Sequence, residues 1–170
     1  MADNQTSADL KGAIWVALTN GHYHSQRESF LGFVDRAITF LVLVAGAGAV
    51  ASGMHTVFQN ALTVAVMGFA LLQLVFELGP ITRKHASFKA KYFSIASDLE
   101  LGKIDGKSAH GQMMLISGEE GPIYCAVHAL SQNWASSAVY GEQAKDLCQI
   151  VWVRRLTRHF WRQSAHDFHS

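Results

Sequence analysis

Nine histidines and two cysteines are the residues of this 170-residue sequence whose side chains could ligate a metal or act in catalysis. Cys125 and His128 lie one helical turn apart, and His166 and His169 have the same spacing farther along the chain. A zinc site needs a second ligand pair of comparable regularity, and Cys148 alone does not complete one. The sequence therefore predicts no metal site and no cofactor.

His22 and His24 lie two residues apart, so their rings would face different sides of a helix. Because this spacing suits metal ligands poorly, we expect both histidines to be solvated or interfacial. No segment resembles a nucleophile elbow, a P-loop or a dinucleotide-binding glycine motif. The net charge of +1 also gives no concentrated basic surface for nucleic acid. We expect neither an enzyme nor a nucleic-acid-binding protein.

The distribution of charged residues along the chain predicts its main structural elements. The whole chain is 49% hydrophobic and 16% charged, yet Lys, Arg, Asp and Glu are absent for the 40 residues between Arg36 and Glu77. A bilayer core about 30 Å thick needs about 20 apolar residues in a helix, and this segment provides two such lengths. We predict transmembrane spans at about 37–54 and 58–78, joined by a turn near His55.

Two other interpretations of the uncharged segment are weaker. A buried helix pair of a soluble protein rarely runs this long without a charged face. The sequence Ala49-Val50-Ala51 resembles a signal-peptide cleavage site, but the 36 residues before the first span are longer and more acidic than a typical signal sequence.

The flanks of the hairpin predict its orientation. Arg83, Lys84, Lys89 and Lys91 follow the second span, whereas the turn between the spans carries no Lys or Arg. Since basic residues stay on the cytoplasmic side, both termini should lie in the cytoplasm.

Small residues on both predicted spans have spacings that let helices pack closely in lipid. They could serve packing within one hairpin or between the hairpins of a homo-oligomer, and the sequence does not separate the two. These residues are Ala45, Gly48, Ala49, Ser52 and Gly53 on the first span and Ala61, Ala65 and Gly68 on the second.

Charged residues stand at the predicted cytoplasmic ends of the spans. An antiparallel hairpin would bring Arg36 and Glu77 to the same depth, so we predict an ion pair between them. A pore-lining position for Glu77 is the alternative.

The segment before the hairpin is polar at first and then has the pattern of a helix. We predict a helix from about Ser7 or Asp9, with Gly21 as a candidate interruption. Trp15 and Tyr23 could lie at the level of the lipid headgroups.

After the hairpin, apolar residues alternate at intervals of four and three, which is the pattern of a short coiled-coil heptad run. This heptad seam could pack on the chain's own later helices or on the same helix of a neighbouring copy. Its residues include Phe88, Tyr92, Ile95 and Leu99.

Two further helices are predicted near the C-terminus, one ending by Gly141 and one from Glu142 to about Gln163. Basic residues near the end of the second helix suit either its dipole or an anionic membrane surface. With Arg83 and Lys84 they form the predicted membrane-surface set, whose C-terminal members are Arg154, Arg155, Arg158 and Arg162.

Together these patterns predict an all-α membrane protein with three parts. Residues 1–35 form a cytoplasmic N-terminal helix, residues 36–80 form the two-helix transmembrane hairpin, and residues 81–170 form a cytoplasmic C-terminal helical region.

This layout resembles the SLATT superfamily of two-transmembrane effectors from bacterial nucleotide-signalling conflict systems. The matching segments are Tyr23 to Arg27 before the first span, Arg83 to Tyr92 after the second, and the helix from Tyr124 to Tyr140. The resemblance implies an oligomerising effector that permeabilises the inner membrane when triggered, with a signalling or sensor protein as a further partner.

The leading functional expectation is therefore a small bacterial membrane effector, partnered by the lipid bilayer and by copies of itself and controlled by its cytoplasmic helices. One alternative is a hairpin that only anchors a helical scaffold or interaction module. Another is a phage holin-like protein. The sequence leaves the stoichiometry and the trigger open.

Overall fold

The computed structural model is all-helical over the residues it describes, which are 2–50, 56–144, 147–150 and 157–160, with side chains described for all of these except 2–6, 49 and 50. The predicted all-helical class with two long apolar helices is confirmed. A short 3₁₀ turn, Gly141–Gln143, comes after the last helix of this part of the chain. The α-helices are α1 (Ala2–Val50), α2 (Thr56–Phe76), α3 (Leu78–Glu100), α4 (Gly106–Glu119) and α5 (Cys125–Tyr140).

The chain divides into two compact units. Unit 1 comprises Met1–Arg27 and His85–Ser170, and unit 2 comprises Glu28–Lys84. The predicted boundaries after residues 35 and 80 lie inside α1 and α3, because both helices continue from one unit into the other along the chain.

Helix α1 is 49 residues long and joins the predicted N-terminal helix to the first predicted span without a break. The interruption predicted at Gly21 does not occur. A Cβ atom at Gly21 would lie 3.1 Å from Cε1 of Phe93, so the missing side chain lets α3 approach α1 closely. This glycine serves packing between helices and not a bend.

A single residue separates α2 from α3. Glu77 has a φ of 43°, in the left-handed region that costs a non-glycine residue about 1–2 kcal/mol. Pro80 follows in the first turn of α3, where a helix needs no backbone donor. The break between the helices therefore falls at Glu77, three residues before Pro80.

The end of α3 and the start of α4 are fixed by local hydrogen bonds. Gly102 adopts a φ of +64°, and the amide of Lys103 then donates to the carbonyl of Asp98 at 2.9 Å. This is the six-residue closure that favours glycine at a helix end. The carboxylate of Asp105 caps α4 by accepting from the amide of Ser108 at 2.7 Å.

Helices α1, α3 and α4 share the hydrophobic core of unit 1, and α5 contributes buried small residues, among them Ala126, Ala129 and Ala135. The indole of Trp15 on α1 donates to the hydroxyl of Ser136 on α5 at 2.9 Å. The core residues are Ile14 and Ala17 from α1, Phe88, Tyr92, Ile95, Ala96 and Leu99 from α3, and Ala109, Met113 and Ile116 from α4.

The α-helix predicted from Glu142 to about Gln163 is wrong over residues 142–144 and 147–150, whereas Thr157 is helical. Gly141, with a φ of +56°, ends α5, and residues 144 and 147–150 are not helical. The side-chain amide of Asn133 donates to the carbonyl of Cys148 at 2.9 Å and accepts from its amide at 2.8 Å. These two bonds satisfy backbone groups that a helix would otherwise pair, and they hold the segment against α5.

Candidate functional site

The two apolar helices of unit 2 contact each other along one face of each. On α1 the half-buried positions Asp35, Ile38, Val42 and Ala45 recur at intervals of three and four. The same spacing relates the half-buried positions of α2. This pattern is typical of antiparallel helices packed side by side. The α2 positions are Gln59, Leu62, Val66, Phe69 and Gln73.

Only part of the predicted small-residue set lies on this inner face. A Cβ at Gly48 would lie 3.0 Å from Cδ1 of Leu62, so Gly48 packs within the hairpin. Ala45 and Ala65 are half-buried, whereas Ala61 and Gly68 are exposed, and a Cβ at Gly68 would meet no atom within 4 Å. The side chain of Ala49, and Ser52 and Gly53 entirely, lie outside the described residues.

The remaining faces of the two helices are apolar and uncovered. The most apolar 18-residue window of the first helix has a mean hydropathy of 1.8 and is 6% buried. The corresponding window in residues 56–100 has a mean hydropathy of 2.0 and is 0% buried. A core helix of a soluble protein would have most of such a surface covered by other parts of the chain.

Hydrogen bonds between polar side chains, which the sequence did not predict, join α1 and α2 near Asp35. The side-chain amide of Gln73 on α2 donates to the hydroxyl of Thr39 at 2.7 Å and to the carboxylate of Asp35 at 3.1 Å. The Thr39 hydroxyl in turn donates to the carbonyl of Asp35 at 2.9 Å. In the sequence, Gln73 is a single amide side chain within an apolar run, and nothing there indicates its partners on α1.

The predicted ion pair between Arg36 and Glu77 is not formed within the part of the chain that the structure describes. Both side chains are exposed. The guanidinium of Arg36 instead donates to the carbonyl of Gly32, one turn earlier on its own helix, at 3.0 Å. The left-handed backbone at Glu77 starts a new helix at that point.

The predicted membrane-surface residues are only partly described. Arg83 and Lys84 are exposed, and Arg158 is half-buried. Arg154, Arg155 and Arg162 lie outside the described residues.

The heptad seam lies in the core of unit 1. Phe88, Tyr92, Ile95 and Leu99 are all buried on α3 and belong to the cluster shared with α1 and α4. Of the two alternatives that the sequence left open, the structure shows packing on the chain's own helices.

A buried polar cluster lies beside this core. His24 on α1 is 2% exposed, and its Nδ1 lies 2.8 Å from Nδ1 of His85 on α3. Its Nε2 lies 3.1 Å from Oε1 of Glu120, in the segment between α4 and α5. The hydroxyl of Tyr92 donates to the same oxygen of Glu120 at 2.6 Å. We call these four residues the His24 cluster.

The expectation that His22 and His24 are solvated is therefore wrong for His24. His22 is half-buried as well, with its ring stacked on Trp134 at a centroid distance of 5.9 Å. Tyr23 is also buried and accepts a hydrogen bond from the amide of Tyr124 at 3.2 Å. Spacing within α1 could not predict this, because the partners of these side chains lie about 60–100 residues farther along the chain.

The contacts of the His24 cluster shift the pKa values of Glu120 and Tyr92. Burial raises the pKa of Glu120, but hydrogen bonds from His24 and Tyr92 and the nearby histidine charges outweigh it, so the pKa lies below the ordinary 4.5. Burial and the hydrogen bond to Glu120 together raise the pKa of Tyr92. Glu120 is therefore an acceptor and Tyr92 a donor across the physiological range.

A second buried polar contact involves Arg27 on α1. Its guanidinium carbon lies 3.9 Å from the centre of the Tyr124 ring, and Nη1 donates to the carbonyl of His159 at 2.9 Å. Burial, followed by the positive charges of Arg158 and Arg27, lowers the pKa of His159 to about 4. His159 is therefore neutral at pH 7 and accommodates the guanidinium beside it.

Among the described residues, no three His, Cys, Asp or Glu side chains are placed so that they could hold a metal ion together. Cys125 and His128 accordingly have no further ligand pair beside them in this part of the chain. Comparison of the chain with protein-family models, curated proteins and solved structures gave no significant match. The functional argument therefore depends on the geometry of the two units themselves.

Proposed function

We propose that the chain is an integral membrane protein whose unit 2 crosses the bilayer as a two-helix hairpin. The observation that carries this proposal is the uncovered apolar surface of α1 and α2, where the most hydrophobic windows are 6% and 0% buried. Helices in lipid satisfy their own backbone hydrogen bonds and need apolar side chains outward, which is the surface seen here. A signal sequence would account for the first helix alone and not for α2 packed against it.

The flanking charges support an inner-membrane location with cytoplasmic termini. Arg83 and Lys84 are exposed and follow α2 by a few residues. Basic residues next to a span remain on the cytoplasmic side during insertion. We infer that unit 1, whose two segments precede and follow the hairpin, lies in the cytoplasm.

We further propose that the protein acts as a membrane effector by assembly of its hairpins, in line with its resemblance to SLATT proteins. Gly68 and Ala61 support assembly, because both are exposed on the outer face of α2. Small residues there allow a helix of a second copy to approach closely.

One observation favours a second function, in which the hairpin only anchors unit 1 as a helical interaction module. Between Val64 and Phe76, every exposed residue of α2 is apolar or glycine. A water-filled channel requires polar groups along its wall, and this face offers none.

Insertion and orientation can be tested by cysteine labelling of the full chain in bacterial cells, in a background where Cys125 and Cys148 are replaced by Ser. We expect His55→Cys to react with a membrane-impermeant maleimide added outside. Leu115→Cys, on an exposed residue of α4, should react only after lysis. Labelling of Leu115→Cys from outside, or release of the protein by alkaline carbonate, would contradict the proposal.

A measurement of the membrane potential distinguishes the proposed effector function from the anchor function. We expect expression to depolarise cells, as reported by a voltage-sensitive dye, and Gly68→Leu to abolish this. Ala70→Leu, at an exposed position on another side of α2, is the matched control and should still depolarise. An unchanged potential with confirmed insertion would leave the anchor as the function.

A further inference from the structure

Arg36 and Glu77 lie at the same level of the hairpin although they do not pair within the chain. The hydrogen bond between Gln73 and Asp35 sets the register of α1 against α2. Gly32 lies nearly one turn before Asp35 on α1. Glu77 lies about one turn beyond Gln73, so in antiparallel helices it comes level with Gly32. The guanidinium of Arg36 reaches this same level, because it donates to the carbonyl of Gly32 at 3.0 Å.

The described part of the chain does not balance either charge. Both side chains are exposed, and neither belongs to an ion pair among the described residues. The bond from Arg36 to the carbonyl of Gly32 satisfies one donor but leaves the positive charge, because a carbonyl carries no net charge. Each of the two groups is therefore available to a partner of opposite sign.

The two charges lie within exposed apolar surface. Phe33 and Phe40 come about one turn before and after Arg36 on α1, and both are exposed. Leu74, three residues before Glu77, is exposed as well. Opposite charges attract more strongly where apolar groups exclude water than in bulk solvent. A helix that packs here and supplies the opposite charge would gain both close packing and a strong ion pair.

The backbone at Glu77 also indicates a role for its side chain. The φ of 43° lies in the left-handed region, which glycine adopts without strain and a residue with a Cβ does not. Strained residues other than glycine cluster at sites where the side chain is used. A carboxylate held at such a position, at the end of an apolar helix, is therefore expected to serve a contact.

A second copy of the chain fits these charges better than lipid does. Anionic headgroups attract Arg36 but repel Glu77, so a bilayer surface does not balance both. A second copy inserted in the same orientation presents both charges at the same depth. With α1 of one copy beside α2 of the next, the guanidinium of Arg36 meets the carboxylate of Glu77, and each copy contributes one cation and one anion.

We propose that the outer faces of α1 and α2 form the contact between copies of this chain, with an ion pair from Arg36 of one copy to Glu77 of the next. This inference rests on the membrane hairpin and its assembly proposed above, and it names the surface and the pair that select the partner. Ala61 and Gly68, exposed on α2, permit close approach there. Because different surfaces of the two copies meet, the contact is heterologous and builds a ring if its rotation closes.

Charge reversal tests this pair in the full-length protein, in vesicles of zwitterionic phosphatidylcholine. Donor and acceptor dyes are attached at Leu115→Cys, on an exposed residue of α4, with Cys125 and Cys148 replaced by Ser. Energy transfer between copies then measures their association. We expect Arg36→Glu and Glu77→Arg each to lower the association constant about tenfold, because two like charges replace two opposite ones.

A mixture of the two variants distinguishes a pair between copies from a pair within one copy. At these two positions, copies with Arg36→Glu carry two negative charges and copies with Glu77→Arg carry two positive charges. We expect the mixture to associate as tightly as wild type, since each contact again joins opposite charges. The double variant in one chain should also regain the wild-type association. Recovery by the double variant but not by the mixture would indicate a pair within one chain and would overturn the proposal.

Lys107→Glu and Glu100→Arg are the matched controls, because they change the net charge by the same amounts at exposed positions of unit 1. Both should leave the association unchanged. Equal association of wild type and the reversal variants at Arg36 and Glu77 would overturn the ion pair, while the proposed assembly would stand. Absence of energy transfer in inserted wild-type protein would overturn the contact and the assembly together. Resistance to alkaline carbonate, measured for every variant, keeps loss of insertion distinct from loss of association.

Discussion

The carboxylate of Glu120 accepts hydrogen bonds from two buried side chains of unit 1. It accepts from His24 and Tyr92 through the same oxygen, Oε1, and its side chain is 10% exposed. Since these contacts favour the charged form, the pKa of Glu120 is lower in the folded protein than the ordinary 4.5. A lowered acid pKa contributes stability above the unfolded value, and that stability is lost as the pH falls through the folded value.

We therefore expect Glu120→Gln to reduce the free energy of unfolding of unit 1 by about 1–3 kcal/mol at pH 7. The difference from wild type should shrink as the pH falls below about 4.5, where the carboxylate of the unfolded chain becomes protonated, and be lost as the pH passes the lower pKa of the folded protein. Glu119→Gln is the matched control. Its carboxylate is exposed and, among the described residues, pairs with Lys91, so the loss should stay below about 1 kcal/mol. A difference that persists unchanged to pH 3 would contradict this account.

Asn133 is the second residue whose effect can be isolated, because its amide pairs both backbone groups of Cys148. We expect Asn133→Ala to release the segment and to speed alkylation of the Cys148 thiol by a maleimide several-fold. Cys125, at the start of α5, is an internal control and should react at an unchanged rate. Parallel acceleration at both cysteines would instead indicate general loosening of unit 1.

At the scale of elements, the hairpin of α1 and α2 depends on close packing at Gly48, where an added Cβ would lie 3.0 Å from Leu62. Gly46 offers a matched comparison, since a Cβ there would meet nothing within 4 Å. Both glycines lie in the same helix, so a substitution by valine changes helix propensity equally at the two positions.

We expect Gly48→Val to destabilise the hairpin by about 1–3 kcal/mol more than Gly46→Val, because a packed interface must shift to accept the larger side chain. Thermal unfolding in detergent, followed by circular dichroism, measures the difference. Equal midpoints for the two variants would show that the Gly48 contact does not hold the helices together.

At the scale of the whole molecule, the two units differ in whether their apolar side chains are buried. Unit 1 buries its apolar residues in a shared core, whereas α2 has no buried residue at all. Leu71 on α2 and Leu115 on α4 are both exposed leucines, at 58% and 76%. They differ in whether the surrounding surface is continuously apolar.

We expect Leu71→Arg to prevent stable membrane insertion, because an arginine near the centre of a span costs about 2.5–3.5 kcal/mol. Leu115→Arg should leave the protein in the carbonate-resistant membrane fraction. Fractionation of cells that express each variant measures both. If the two variants fractionate alike, the apolar surface of α2 is not what holds the chain in the membrane.

The sequence by itself determined the helical class and the two long apolar helices, since these depend on local hydrophobicity and on the absence of charge over many consecutive residues. It also located the end of α5 at Gly141, whose positive φ a glycine adopts without strain.

Only the tertiary structure decided which side chains meet. The contact of His24 with His85 and Glu120, and of Gln73 with Asp35, joins residues about 40–100 positions apart. Periodicity within one helix carries no information about such partners. The segment after Gly141 was mispredicted for the same reason: its apolar spacing suits a helix, but a distant amide, Asn133, binds the backbone of Cys148 and replaces the bonds of a helix.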